Sequence, residues 1–447
     1  MRKKTTVFIS VLISVVVLSS CHSNISKKEY EAKANAPRLF NQCGTQLTNV
    51  IIFDIFKPPV ASRIYSYAYL AAYEAMRNDH PEYRSMADVI KQFRGISRPE
   101  RGKEYCFALA GMVAFNKVGD EFTFSKDKWD DFNNKFYPQF KKMGIPDEVY
   151  TNSLEYGEKV AKEIIEFSKS DNYAQTRGIK FNVTQEPGRW VPTPPMYADA
   201  CEPKWNSIRS FLIDSASQFK PAPCAPYDMN PKSKYYQLLM QVYHINKTLT
   251  KEQKDIAYFW DDNAFVSNVY GHAIVTAKKM TPPGHWLAIA RTVVMNKKLD
   301  LMKCTQVYLI TSLAMHDAFI ASYDEKYRSN RIRPITVIEQ SVDNNWLPFL
   351  ETPSFPEYVS AHSAISAAAG TVLTNLIGDN VAYIDSTENE YGHGVRSFKS
   401  FTQAYCEVSD SRVYGGIHYR DGVDAGMKQG EEIGNLILKK LQSQPAH

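Results

Sequence analysis

The sequence offers no apolar run long enough to cross a bilayer comfortably. Its N-terminal run, Val7 to Val17, falls short of the roughly 20 residues that a spanning helix needs. Charge of one sign is also scarce. The formal net charge is +5, and about +2 once Arg2, Lys3 and Lys4 are set aside, which excludes the strong basic excess of a nucleic-acid binder. No H-E-x-x-H pattern occurs and the cysteine spacings fit no zinc motif, so no metal-ion centre is expected; Asp261-Asp262 with His272 and His285 lacks any such spacing. No alternating apolar and polar stretch marks a strand. The cysteines after Cys21 are Cys43, Cys106, Cys201, Cys224, Cys304 and Cys406. Cys201 and Cys224 bracket a proline-rich loop and are the pair best placed for a disulfide, while free buried thiols are the alternative that the sequence leaves open.

The N-terminus is of a different kind. A basic start, the apolar run and Leu18-Ser19-Ser20-Cys21 read as a secretory signal. Its end resembles a bacterial lipobox, which implies a signal peptide over 1–20 and lipidation of Cys21. The expectation is a protein of the bacterial cell envelope, held to the membrane through Cys21, on the outer membrane and facing the periplasm. Oligomeric state leaves no trace in the sequence.

With 447 residues the chain has room for two or three cores. Helical spacing runs through 63–76, 105–118, 126–142, 146–168, 304–323, 363–377 and 426–441, and Thr250 to Gln253 is a capping box. Residues 171–231 carry eight prolines from Pro187 to Pro226 and read as an irregular crossing segment. The two flanking regions look like copies. Ile64-Tyr65 and Leu70-Ala71 align with Val307-Tyr308 and Leu313-Ala314, Tyr83-Arg84-Ser85 with Tyr327-Arg328-Ser329, and Gly111 and Gly157 with Gly370 and Gly430. The expected architecture is all-α: two helical bundles related by internal duplication, 21–170 without a site and 232–447 with it. Opposite Lys326, Ser360 and His362 the first copy has Glu82, Arg101 and Lys103.

The chemistry gathers in three stretches: Lys326 to Arg333-Pro334, Ser360-Ala361-His362, and Ser411-Arg412 with His418 six residues after Arg412. Lys326, Arg333 and Arg412 would repel one another by roughly 4 kcal/mol per pair at 4 Å and an effective dielectric near 20. An enclosed oxyanion turns those repulsions into attractions, and Arg forks match its oxygens. The three patterns, K-x6-R-P, S-A-H and S-R-x5-H, resemble the signature of the type 2 phosphatidic acid phosphatase and vanadium haloperoxidase superfamily. Phe259-Trp260-Asp261-Asp262-Asn263 and Pro282-Pro283-Gly284-His285-Trp286 are similar to its bacterial haloperoxidase-like branch.

That resemblance implies a vanadium haloperoxidase-like fold with the active site in the C-terminal bundle. It assigns Lys326, Arg333, Arg412, Ser360 and the N–H of Ala361 to the oxygens of a phosphate or vanadate. It makes His418 the nucleophile of a phosphohistidine or the ligand of vanadate, and His362 the acid–base. The first expectation is a metal-independent phosphatase that needs no cofactor and acts on a phosphorylated small molecule or lipid headgroup. The alternatives are a vanadate-dependent haloperoxidase using peroxide and halide, and a non-catalytic phosphate-binding lipoprotein. The sequence departs from the family twice: Ala361 replaces a glycine, and Gly422 stands where an acid often follows the last histidine. Asp421 is therefore expected to orient His418, with Glu407 a weaker candidate. His316-Asp317 reads as a helix-packing pair or an outlying part of the site, and Arg328 and Arg331 as surface or supporting charges.

Overall fold

The computed structural model describes residues 25–263, 265–270 and 273–442. Cys21, the signal segment and His272 lie outside them. The first half holds α1 (Lys27–Ala34), α2 (Pro37–Phe53), α3 (Pro58–Met76), α4 (Phe107–Phe122), α5 (Lys126–Phe136), α6 (Pro138–Lys142) and α7 (Asp147–Ser168). After α8 (Tyr173–Thr176) the chain crosses with little regular structure to α9 (Lys234–Lys247) and α10 (Lys251–Phe259). The hairpin β1 (Phe265–Tyr270) and β2 (Ala273–Lys278) leads into α11 (Pro282–Asn296), α12 (Leu301–Ser329), α13 (Pro334–Ser341) and α14 (Ala361–Ile377). A second hairpin, β3 (Tyr383–Asp385) with β4 (Arg396–Phe398), precedes α15 (Phe401–Tyr414) and α16 (Arg420–Gln442).

The protein is therefore mostly helical, as its spacing predicts. Helix α4 packs between α3 and α7, and α14 between α12 and α16, while α3 and α12 join the two sets. One hydrophobic cluster runs through both halves, and a smaller one around Tyr235, Leu238, Ile335 and Tyr419 lies beneath the site. Helix α3 is buried along nearly its whole length, and its Arg63, Ser66 and Glu74 side chains are met by Asp171, the Ser312 carbonyl and Arg77. Helices α7 and α16 approach their neighbours at glycine: a Cβ on Gly157 would meet the Ala110 carbonyl oxygen at 2.4 Å, and one on Gly430 the Ala364 carbonyl oxygen at 2.0 Å.

Several expectations need correction. The helix expected over 126–142 breaks at Tyr137, because Pro138 has no N–H to continue it. Two short antiparallel hairpins occur where no strand was expected. The cysteines among the described residues are all free, Cys201 and Cys224 included. No described helix is long and apolar enough to cross a membrane.

Candidate active site

Helix termini place the groups expected to meet an oxyanion. Asp300 caps the start of α12 by accepting from the Lys303 N–H at 2.8 Å, and Asn330, left-handed at φ 48°, ends it. Lys326 thus lies in the last turn, and Arg333 stands at the N-cap of α13. Ser360 caps α14, accepting from the N–H of Ser363 at 3.2 Å and from its hydroxyl at 2.8 Å. That leaves the Ser360 O–H and the first-turn N–H of Ala361 as donors. Arg412 lies near the end of α15, and His418 in the turn before α16.

These groups converge. A cavity of about 390 Å³ has Ala361, His362, Arg412 and His418 in its lining, with apolar walls that include Ile55, Met196, Phe319 and Ile365. Lys326, Arg333 and Ser360 are fully buried. Burial, then the charges of Arg333 and Arg412, hold the Lys326 ammonium well below its ordinary pKa. Its three protons go to the carbonyls of Pro356, Glu357 and Val359 at 3.0, 3.1 and 2.5 Å. Lys326 thus braces the loop before Ser360 and supplies charge from behind it. Arg333 donates through Nε to the Phe355 carbonyl at 2.9 Å and through Nη1 to the Ile417 carbonyl at 2.7 Å. Arg412 Nη1 donates to the Trp260 carbonyl at 3.1 Å. Arg333 Nη2 and Arg412 Nε are buried without a partner.

The tautomer of His418 follows from its neighbours. Arg333 Nη1 lies 3.2 Å from Nε2 and can only donate, so Nε2 carries a lone pair. Nδ1 then holds the proton and donates it to Glu357 Oε1 at 2.8 Å. Burial, reinforced by Arg333, Lys326 and Arg412, depresses the His418 pKa well below 6.5. The acid that orients His418 is therefore Glu357, not Asp421. Asp421 instead accepts from Arg331 Nη1 at 2.7 Å and from the Ala225 N–H at 3.3 Å. Glu407 binds Arg396 and the Trp260 indole. Gly422 explains the exchange: a Cβ there would meet Glu357 Oε1 at 2.4 Å, so the Glu357 carboxylate occupies the space that a side chain at 422 would need. Arg331, buried and 3.1 Å from Glu357 Oε2, supports that carboxylate, whereas Arg328 pairs with Asp324 and Glu325.

His362 belongs to a second set. Its Nε2 lies 3.1 Å from Asp262 Oδ2, and burial followed by the charge of Arg412 lowers its pKa. Asp262 Oδ1 lies 2.9 Å from His285 Nδ1, and His285 Nε2 lies 2.9 Å from Asp385 Oδ2. The Phe259–Asn263 and Pro282–Trp286 stretches thus meet, with Trp260 stacked 4.6 Å from the His285 ring. Asp262, His285 and Glu388 each bring one ligand-type atom within 4.8 Å of the others, a cluster the motif spacings did not disclose. His316 and Asp317 lie apart from the site. Asp317 accepts from the N–H groups of Phe211, Leu212 and Ile213 at 2.8, 2.7 and 2.9 Å, a packing role.

Residues 306–446 match the family model for the second helical-bundle domain of vanadium chloroperoxidase. Over 91% of this chain and 97% of the other, the fold is similar to a solved bacterial vanadium-dependent iodoperoxidase at 41% identity and TM-score 0.85. A bacterial vanadium-dependent chloroperoxidase in its holo form is similar in fold at 17% identity and TM-score 0.65, covering 94% of this chain and 96% of that one. A comparison with curated proteins returns no match. The expectation of a metal-independent phosphatase is overturned by the iodoperoxidase likeness. The motifs misled because a cage for a phosphoryl group in transfer is equally a cage for vanadate. Its motifs, its helical fold and its 41% identity to the iodoperoxidase make this chain an enzyme of the phosphatidic acid phosphatase type 2 and vanadium haloperoxidase superfamily, in the bacterial haloperoxidase-like branch.

Proposed function

We propose that the protein is a vanadate-dependent haloperoxidase that oxidises iodide with hydrogen peroxide. The carrying observation is the iodoperoxidase relative, 41% identical over 91% of this chain. The residues present fit vanadate. Arg333 Nη2 and Arg412 Nε are buried donors without partners, and the Ser360 hydroxyl and the first-turn N–H of Ala361 add two more. The His418 Nε2 lone pair is the ligand atom. When bound, vanadate supplies a Lewis acid that activates peroxide toward the halide.

The remaining work is done by side chains. Lys326, Arg333 and Arg412 neutralise the oxyanion, and the oxyanion in turn relieves their repulsion. Glu357 fixes the ring of His418 and leaves Nε2 unprotonated. Asp262 holds the proton on His362 Nε2, so His362 Nδ1 is the lone pair for proton exchange in the cavity. Ala361 forms part of the cavity lining, and its methyl narrows the space where the family has glycine. Asp421 has no part in this scheme beyond holding Arg331.

The test is direct. Vanadate-reconstituted protein given peroxide and iodide is expected to form triiodide, and His418→Ala to lose that activity by at least a hundredfold. Full activity in the variant, or none in vanadate-loaded wild type, refutes the reading. The same proposal keeps the protein at the cell envelope through a lipid on Cys21. Cells fed radiolabelled palmitate should label wild type and not Cys21→Ser.

A further inference from the structure

Behind His362, away from the cavity, one imidazole stands among three carboxylates. His285 sits in the first turn of α11 and is fully buried. Its Nε2 lies 2.9 Å from Oδ2 of Asp385, at the end of β3, and its Nδ1 lies 2.9 Å from Asp262 Oδ1. Glu388 Oε1 lies 4.0 Å from the same Nδ1, too far for a hydrogen bond. That oxygen is buried without a partner, on a residue only 1% exposed. Asp262, His285 and Glu388 thus bring one ligand atom each within 4.8 Å of the others, all three buried. The nearby ammonium is taken, since Lys279 pairs with Asp261 at 3.1 Å. An imidazolium gives one proton to Asp262 and one to Asp385, yet leaves Glu388 Oε1 without a donor. A carboxylate oxygen buried in that state is costly.

We propose that Asp262, His285 and Glu388 hold a divalent transition-metal cation of the zinc class. In that arrangement His285 Nδ1 gives its lone pair, Asp262 Oδ1 and Glu388 Oε1 each give an oxygen, and His285 Nε2–H donates to Asp385. A carboxylate behind the far nitrogen is how a metal-ligating histidine is held in orientation. Asp385 is itself fixed, its Oδ1 accepting from the Thr387 N–H at 3.0 Å. The spacing also fits. Metal bonds of about 2.1 Å set neighbouring ligands roughly 3 Å apart and opposite ones roughly 4 Å apart, close to the 2.9 and 4.0 Å found around Nδ1. A ring nitrogen beside two carboxylate oxygens favours zinc over calcium or magnesium, which prefer oxygen ligands. The dication also offsets two of the three carboxylate charges. It ties together the chain after α10, the start of α11 and the loop after β3. Through Asp262, whose Oδ2 lies 3.1 Å from His362 Nε2, it steadies the His362 ring where that ring lines the cavity. The site stands on these groups alone and does not depend on the haloperoxidase reading.

The test uses the full chain without vanadate, dialysed against chelator and titrated with Zn2+ by calorimetry. One zinc per chain is expected to bind at micromolar affinity or tighter and to raise the melting temperature. Glu388→Gln gives up no hydrogen bond of Oε1, so the chelated variant should melt as chelated wild type does, while its zinc affinity falls roughly tenfold or more. Asp385→Asn, which removes the charge behind His285, should weaken zinc by about 10- to 100-fold. Cys406→Ser, at an exposed thiol, should leave the affinity unchanged. Anomalous diffraction at the zinc edge should place the ion between Asp262, His285 and Glu388. The proposal is overturned by a wild type that takes up no stoichiometric zinc, by an affinity that survives Glu388→Gln, or by an ion located elsewhere. The first of these would leave His285 as an imidazolium between two carboxylates.

Discussion

At the scale of single residues, the exchange of one acid governs the site. The family often supplies a carboxylate from the turn after the last histidine; here Gly422 vacates that place and Glu357 fills it from the loop before α14. Glu357→Gln keeps an acceptor for the His418 Nδ1–H and removes the charge. It should weaken vanadate binding by roughly 10- to 100-fold, as loss of a partner behind a metal ligand typically does, measured as vanadate-dependent recovery of activity. Gly422→Asp alone sets a second side chain against the Glu357 carboxylate and should be destabilising. Combined with Glu357→Gly it should regain part of the lost affinity, because the acid reaches the same nitrogen from the other side. The pH behaviour has a definite sign. His418 is depressed below 6.5, so its ring stays neutral as pH falls through that value, and ring NMR from pH 8 to 5.5 should show no His418 titration. The sequence marks Lys326, Arg333, Ser360, His362, Arg412 and His418 as candidates because they occur at fixed spacings. Glu357 was hidden for a physical reason: a carboxylate can reach an imidazole from any element nearby, and no spacing requires it to follow the histidine.

At the scale of elements, helix ends do the positioning, and they were legible in unequal measure. The Thr250 capping box starts α10 as read, and its hydrogen bonds are present. Helix α11 was not foreseen as a helix, although its two prolines occupy the first turn, where their missing N–H groups cost nothing. The hairpin β3–β4 also escaped notice, since three-residue strands carry no alternation to detect, yet β3 delivers Asp385 to His285. The crossing segment was read as irregular, but what anchors it was not. Asp317, from the middle of α12, accepts from three successive backbone N–H groups of residues 211–213. Asp317→Ala leaves those donors buried and unmet, at about 1–3 kcal/mol for each group. Chemical denaturation should show a loss of roughly 3 kcal/mol or more, and limited proteolysis should cut first near residue 211. Asp317→Asn, which keeps a carbonyl oxygen, should lose less. Equal losses in both would mean that the charge, and not the acceptor count, holds the segment.

At the scale of the whole molecule, the chemistry resides in one half while the walls come from everywhere. His362, Arg412 and His418 belong to the C-terminal bundle, but Ile55 and Pro58 reach the cavity from the N-terminal half, and Met196 and Cys201 from the crossing segment. Helix α12 lies against α3, and its buried faces include Val307, Ile310, Leu313 and Ala314. Removing residues 1–231 would expose that face to water at about 25 cal/mol for each Å² of apolar surface and strip Asp317 of its backbone partners. Every residue assigned to the oxyanion lies within 232–447, so composition of the site alone would predict a self-sufficient catalytic fragment. The packing predicts the opposite. Fragment 232–447 should be insoluble, or should melt without a cooperative transition, and should bind no vanadate. Co-expression with 25–231 should restore both folding and binding, because it returns to α12 the buried face of α3 and the Ser66 to Ser312 hydrogen bond between them. A soluble, vanadate-binding fragment obtained alone would show instead that the first bundle is dispensable to the site and that its likeness to the second serves only the packing between them.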